Sequence, residues 1–119
     1  MLNLNPMTKV HICTSPTDMR KSFNSLASMV SELMMKNVTS GELFVFFNKT
    51  KSMVKVLVWD KSGFSIYYKR LEEGTFHLPV FDTDEVNSQE FESSDLLLIL
   101  KGVELQNSSQ HKRFGLQRD

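Results

Sequence analysis

The sequence predicts an α+β domain: a mainly antiparallel, twisted sheet of about five strands, one long helix packed on a face, and a short C-terminal helix. Three observations predict it. Two β-rich runs, Val54–Trp59 and Phe64–Arg70, are separated by Asp60-Lys61-Ser62-Gly63, which is the pattern of an antiparallel hairpin. Met19, Phe23, Leu26, Val30 and Leu33 recur at spacings of four, three, four and three, one apolar stripe of an amphipathic helix. Leu96-Leu97-Leu98-Ile99-Leu100 is apolar nearly all round, between Ser93-Ser94-Asp95 and Gly102, as in a short helix packed on more than one side.

Taken in order, Met1–Thr8 is polar and contains Pro6, a loose lead-in. Val10–Cys13 is a short strand. Ser15-Pro16-Thr17-Asp18 reads as a helix start, with Ser15 as N-cap, Pro16 at the first helical position and Asp18 at the positive end of the dipole. The stripe then carries a helix of roughly 18 residues, ended by Asn37–Gly41. Glu42–Asn48 is a strand apolar on both faces, the mark of a sheet interior or of a face covered by another segment or subunit.

Asn48–Ser52 links this strand to the one beginning at Met53 as a basic-tipped hairpin. Side chains alternate across a strand, so Val54, Val56 and Val58 face one way and Lys55, Leu57 and Trp59 the other. The valines are expected to meet the helix stripe, with Phe23 among their contacts. In the Asp60–Gly63 turn, Gly63 is the residue free to adopt positive φ, and Asp60 can bond its own backbone. Thr75–His77 reads as a short third strand that Pro79 ends. Phe81–Glu85 reads as an acidic surface loop, and residues from Gln106 onward as a polar, loose end. The chain is thus read as one domain, 1–119, with loose ends of about 1–8 and 106–119.

Composition narrows the function classes. At 119 residues the chain can bury a core without staples, and 40% hydrophobic with 24% charged residues is ordinary for a globular domain. One cysteine, Cys13, excludes an internal disulfide framework, and Cys and His lack zinc spacing. No apolar run approaches the ~20 residues of a membrane span, so a cytoplasmic protein without membrane contact is expected.

The net charge of zero conceals segregation. Met1–Arg70 holds ten Lys or Arg against four acids, Leu71–Leu100 holds eight acids and no base, and the remainder four bases against two acids. Such a distribution either mixes over the surface or gathers into a face that attracts phosphate.

The segments Pro16-Thr17-Asp18-Met19-Arg20-Lys21-Ser22-Phe23, Trp59–Phe64, Tyr67-Tyr68-Lys69-Arg70-Leu71-Glu72, Gly74 and Phe76-His77 carry a family resemblance. Over about Val10–Leu105 the chain resembles the small accessory protein (TnpB, or Orf2-like) of the IS-sixty-six group of bacterial insertion sequences. That resemblance implies a bacterial protein that works beside a separate, larger transposase.

No catalytic or metal site is expected, and no cofactor. The histidines (His11, His77, His111) have no Ser, Cys or carboxylate at a readable spacing, and Cys13 reads as a small core residue. A strand-transfer site needs clustered carboxylates holding two metal ions about 4 Å apart. Asp18, Asp60 and Glu72 instead occupy a helix start, a turn and a place beside Arg70.

The basic and aromatic residues offer more. Arg20, Lys21, Lys49, Lys51, Lys55, Lys61, Lys69 and Arg70, with Tyr67 and Tyr68 nearby, are candidates for contacting DNA at the element ends. Alternatively, Trp59, Tyr67 and the second face of Phe44 and Phe46 bind a protein partner, the transposase or a second copy of the chain. The expected function is therefore a non-enzymatic accessory role through DNA, or an adaptor or dimerisation role without it.

Overall fold

Five strands form one sheet in the order β4-β3-β2-β1-β5 in a computed structural model, which describes residues 5–79 and 87–102. β1 (Lys9–Cys13) and β2 (Leu43–Phe47) pair in parallel. β2 with β3 (Met53–Trp59), β3 with β4 (Phe64–Arg70), and β1 with β5 (Ser88–Glu92) pair antiparallel, so the sheet is mixed. A parallel pair needs a crossover, and the segment between β1 and β2 supplies one on a sheet face.

The β3–β4 hairpin has the expected register, Trp59 opposite Phe64. Its turn is held by Asp60, whose Oδ1 accepts from the Ser62 and Gly63 backbone N–H groups, both at 3.3 Å. Lys61, at φ 85°, takes the left-handed conformation that Gly63 was expected to take. Once the Asp60 side chain caps the turn, its geometry no longer depends on the glycine. The β2–β3 turn is organised likewise: Asn48 Oδ1 accepts from Ser52 N–H and Met53 N–H, both at 2.9 Å.

Among the described residues, two helices cover the sheet, one per face. α1 (Phe23–Ser28) continues into a π-helical turn, Met29–Leu33. Together they bury Leu26, Val30 and Met34 against Cys13, Phe44, Phe46 and Leu57. α2 (Ser93–Leu100) buries Leu96, Ile99 and Leu100 against Val10, Ile12, Leu43, Val45, Phe47, Val54 and Val56. β2 lies in the middle with both faces covered, which is why LFVFF carries no alternation.

Several expectations are corrected here. The valines of β3 meet α2, and α1 covers the face of Leu57 and Phe44 instead. The crossover helix is shorter than expected because its start is pulled out of helical geometry. Thr17 N–H donates to Phe47 O at 2.8 Å, and Asp18 Oδ1 accepts from the Arg20 backbone N–H at 2.9 Å. The Met19 and Lys21 carbonyls are taken by Lys55 Nζ. The N-cap is Ser22 rather than Ser15, with its backbone N–H donating to Ser25 Oγ at 2.9 Å.

Phe23 is 44% exposed and is not part of the core. The π-turn shifts the phase of the stripe, since one extra residue per turn brings Met34 inward where Leu33 was expected. Thr75–His77 is not a strand: Phe76 N–H donates to Lys51 O at 2.7 Å and its ring packs edge-on to Phe47 at 5.6 Å.

α2 lies on a sheet face, and Ser93 and Asp95 sit inside its first turn after the N-cap Glu92. Gly102, at φ 84°, ends it as expected. β5 was not anticipated. The loop expected at Phe81–Glu85, the loose end from Gln106 and His111 lie outside the described residues.

Candidate nucleic-acid interface

An open groove of about 640 Å³ runs between the loop after β1 and the β2–β3 hairpin, lined by Pro16–Arg20, Asn48–Thr50, Met53 and Tyr68. Arg20 stands on one wall and Lys49 on the other. Two of the sequence segments that carry the family resemblance thus meet here, Pro16–Arg20 and the Tyr68 strand, although about fifty residues of sequence lie between them.

One buried cation ties the loop wall to Tyr68. Lys55 is only 7% exposed, and its Nζ donates to Met19 O at 2.8 Å and Lys21 O at 2.6 Å. The same Nζ lies 4.6 Å from the Tyr68 ring centroid, a cation–π contact between cross-strand neighbours. No carboxylate is paired with it among the described ion pairs, so two carbonyl dipoles and one ring neutralise this ammonium. Lys55 is therefore structural, and the expectation that it contacts DNA from an exposed hairpin is overturned.

Arg20 projects from the loop so held. Its Nε donates to both Asp18 carboxylate oxygens at 3.1 Å, and Nη2 donates to Oδ2 at 2.6 Å. The guanidinium is 91% exposed and has further N–H donors beyond these. The hydrogen bonds from Arg20, and then its charge, hold the Asp18 carboxyl well below its ordinary 3.8. A depressed carboxylate contributes above its unfolded pKa and loses that contribution as pH falls through the folded value. Hence the loop should keep its geometry to below pH 3.8, the midpoint of Asp18 in a carbon-detected NMR titration should lie under that value, and Arg20→Gln should raise it only part of the way back, because the backbone N–H of residue 20 still donates to Asp18 Oδ1.

The remaining candidates separate into outside and inside. Lys49, Lys61 and Arg70 are exposed, with Arg70 opposite Met53 and 3.7 Å from the Glu72 carboxylate. Lys21 and Lys51 are half-buried, and Lys51 holds φ 61° in the hairpin turn. Lys69 points to the opposite face, where its Nζ donates to Leu100 O at 2.9 Å at the C-terminal end of α2, a favourable place for a cation. It therefore belongs to the α2 packing and not to the groove.

The partner-binding set is reduced further. Phe44 and Phe46 are fully buried under α1 and the π-turn, so they cannot meet a partner. Tyr67 packs on the α2 side of the core, and Trp59 is half-buried, edge-on to Phe64 at 5.0 Å.

The sequence reading missed two things. Parallel pairing of β1 with β2 brings His11 to Glu42, with Nε2 and Oε1 2.7 Å apart, while the imidazole stacks on Phe44 at 5.3 Å. Thirty-one residues separate the pair, so no local spacing could reveal it. The other is the difference between the two tyrosines named together beside the basic residues: Tyr68 is exposed and lines the groove, whereas Tyr67 packs on the α2 side. Strand alternation from Lys55 could have separated the two. Burial pushes the Cys13 thiol above its ordinary value, in keeping with a core role. Among the described residues, no three His, Cys, Asp or Glu gather where they could hold a metal ion, and no helix is long and apolar enough to cross a membrane.

Fold and groove together define a small α+β protein with a helix on each sheet face and an open groove to which Arg20, Lys49 and Tyr68 contribute. The chain belongs to the IS66 Orf2-like family: residues 8–110 match the family described as "IS66 Orf2 like protein", which places it with the accessory proteins of insertion sequences. Two relatives come from Sinorhizobium fredii (strain NBRC 101917 / NGR234). "Uncharacterized protein y4hO" is 35% identical over 104 residues, covering 87% of this chain and 88% of the relative. "Uncharacterized protein y4jC" is 31% identical over 71 residues, covering 60% and 61%. No solved structure matches the chain significantly.

Proposed function

We propose that the protein is a non-enzymatic accessory factor of insertion-sequence transposition that binds DNA of its element through the groove, alongside the transposase. The observation that carries this reading is the convergence of Arg20 and Lys49 on one groove that Tyr68 also lines. Lys51 and Arg70 extend the basic character along the hairpin and β4. Lys55 and Lys69 drop out of the contact set because their ammonium groups are committed internally. The carboxylates considered for metal chemistry are likewise committed, Asp18 to Arg20, Asp60 to its turn and Glu72 to Arg70. An adaptor role without DNA contact has fewer residues behind it now that Phe44 and Phe46 lie in the core.

Contacts of this kind neutralise phosphates and position a protein without reading bases. The test is fluorescence anisotropy on the terminal repeats of the element, with a transposition assay, for the variant Arg20→Glu/Lys49→Glu/Lys51→Glu. Both DNA affinity and transposition should fall while the protein stays folded: the change at exposed Lys49 costs under about 0.5 kcal/mol, and those at half-buried Lys51 and Asp18-bonded Arg20 lower the unfolding midpoint somewhat more. If the native protein binds no DNA and the variant supports normal transposition, the adaptor role replaces this one. Loss of transposition on changing Trp59 or Tyr67, with the fold intact, would point the same way.

A further inference from the structure

We infer that the groove takes an unpaired DNA strand, with Tyr68 stacking on a base while Arg20 and Lys49 meet the phosphates on either side. This rests on the DNA-binding reading above and goes further by naming the form of DNA. Among the described residues only two of the Phe, Tyr and Trp side chains are exposed, Phe23 and Tyr68, and of these Tyr68 alone lines the groove.

The ring is held, not free. Its hydroxyl donates to Met53 Sδ at 3.3 Å, and Lys55 Nζ sits 4.6 Å from the centroid. Half of the residue (52%) nevertheless stays exposed. A pre-positioned ring loses little rotamer freedom on contact, which favours binding. Lys55 thus acts as a positioning residue: one ammonium fixes the loop that presents Arg20 and the ring that would receive a base.

The two forms of DNA meet such a groove differently. In a duplex each base face is covered by its neighbours, and reaching one requires unstacking the step at a cost of a few kcal/mol. Against duplex DNA, then, an exposed ring in a groove that also holds two cations contributes little. A single strand presents base faces and backbone together, and grooves that combine cations with an aromatic ring suit it without regard to sequence. The single ring and the two cations, flanked by one carboxylate already bonded to Arg20, match a short stretch of strand, not a long track.

The test compares a fluorescent oligothymidylate with a blunt duplex of equal length at one salt concentration, using the full chain with Tyr68→Leu and Tyr68→Phe. The native protein should prefer the single strand. Tyr68→Leu should weaken single-strand binding at least about fivefold and leave duplex binding unchanged, while Tyr68→Phe keeps most of the affinity. Equal affinity for the two forms, or no loss in Tyr68→Leu, overturns the inference while leaving DNA binding in place. No binding of either form removes the DNA-binding reading as well. The strand preference of the native protein is decisive by itself should Tyr68→Leu fold poorly.

Discussion

Lys55→Glu should destabilise the protein by about 3–5 kcal/mol in urea unfolding, whereas Lys49→Glu, in the turn of the same hairpin, should cost under about 0.5 kcal/mol. The difference follows from where the two charges lie. Lys49 is exposed at the hairpin tip. Lys55 donates to two carbonyl oxygens from a site only 7% exposed, and hydrogen bonds to a charged group contribute about 1.5–3 kcal/mol each. A carboxylate there would face the Met19 and Lys21 carbonyls with no donor of its own. Lys55→Met, which keeps the stem but not the bonds, should cost about 2–3 kcal/mol, part being recovered where water reaches the carbonyls. A cost below about 1 kcal/mol for Lys55→Glu would mean the loop does not depend on this cation.

Phe44→Ala and Phe46→Ala should each cost about 3–5 kcal/mol, and Phe23→Ala about 1 kcal/mol or less. Phe44 and Phe46 have no exposed surface, and α1 with the π-turn closes over both. Truncation leaves cavities in a layer bounded by a sheet on one side and a helix on the other, where little can collapse. Phe23 begins α1 with 44% of its surface in solvent, so most of its apolar area gains nothing from folding. Equal costs for Phe23 and Phe44 would show that the stripe faces the sheet from its first residue.

These contrasts mark where the sequence could be read and where it could not. The β3–β4 hairpin was legible because Asp60, a local turn residue, and strict alternation on both sides determine it. α2 was legible because five consecutive apolar residues before a glycine leave few other options. The start of α1 was not, although Ser15-Pro16-Thr17-Asp18 carries every local signal for it. Phe47 and Lys55, distant in sequence, take the hydrogen-bonding groups that a helix would have used.

β5 was hidden because SQEFE has a single apolar residue, and its pairing with β1 is decided by tertiary contact. The same limit applied to the site. That Arg20 and Lys49 share a groove while Lys55 and Lys69 point inward depends on strand register and on loop capture, and neither is written in charge pattern alone.

The central claim is that Arg20 and Lys49 meet DNA phosphates, and the salt dependence of binding tests it most directly. For the native protein, the logarithm of the binding constant should fall linearly with the logarithm of salt concentration. In Arg20→Gln/Lys49→Gln the slope should be shallower by about 1.4–1.8, the equivalent of two phosphate contacts at roughly 0.7–0.9 each. An unchanged slope and affinity in that variant, with its fold intact, would contradict the claim.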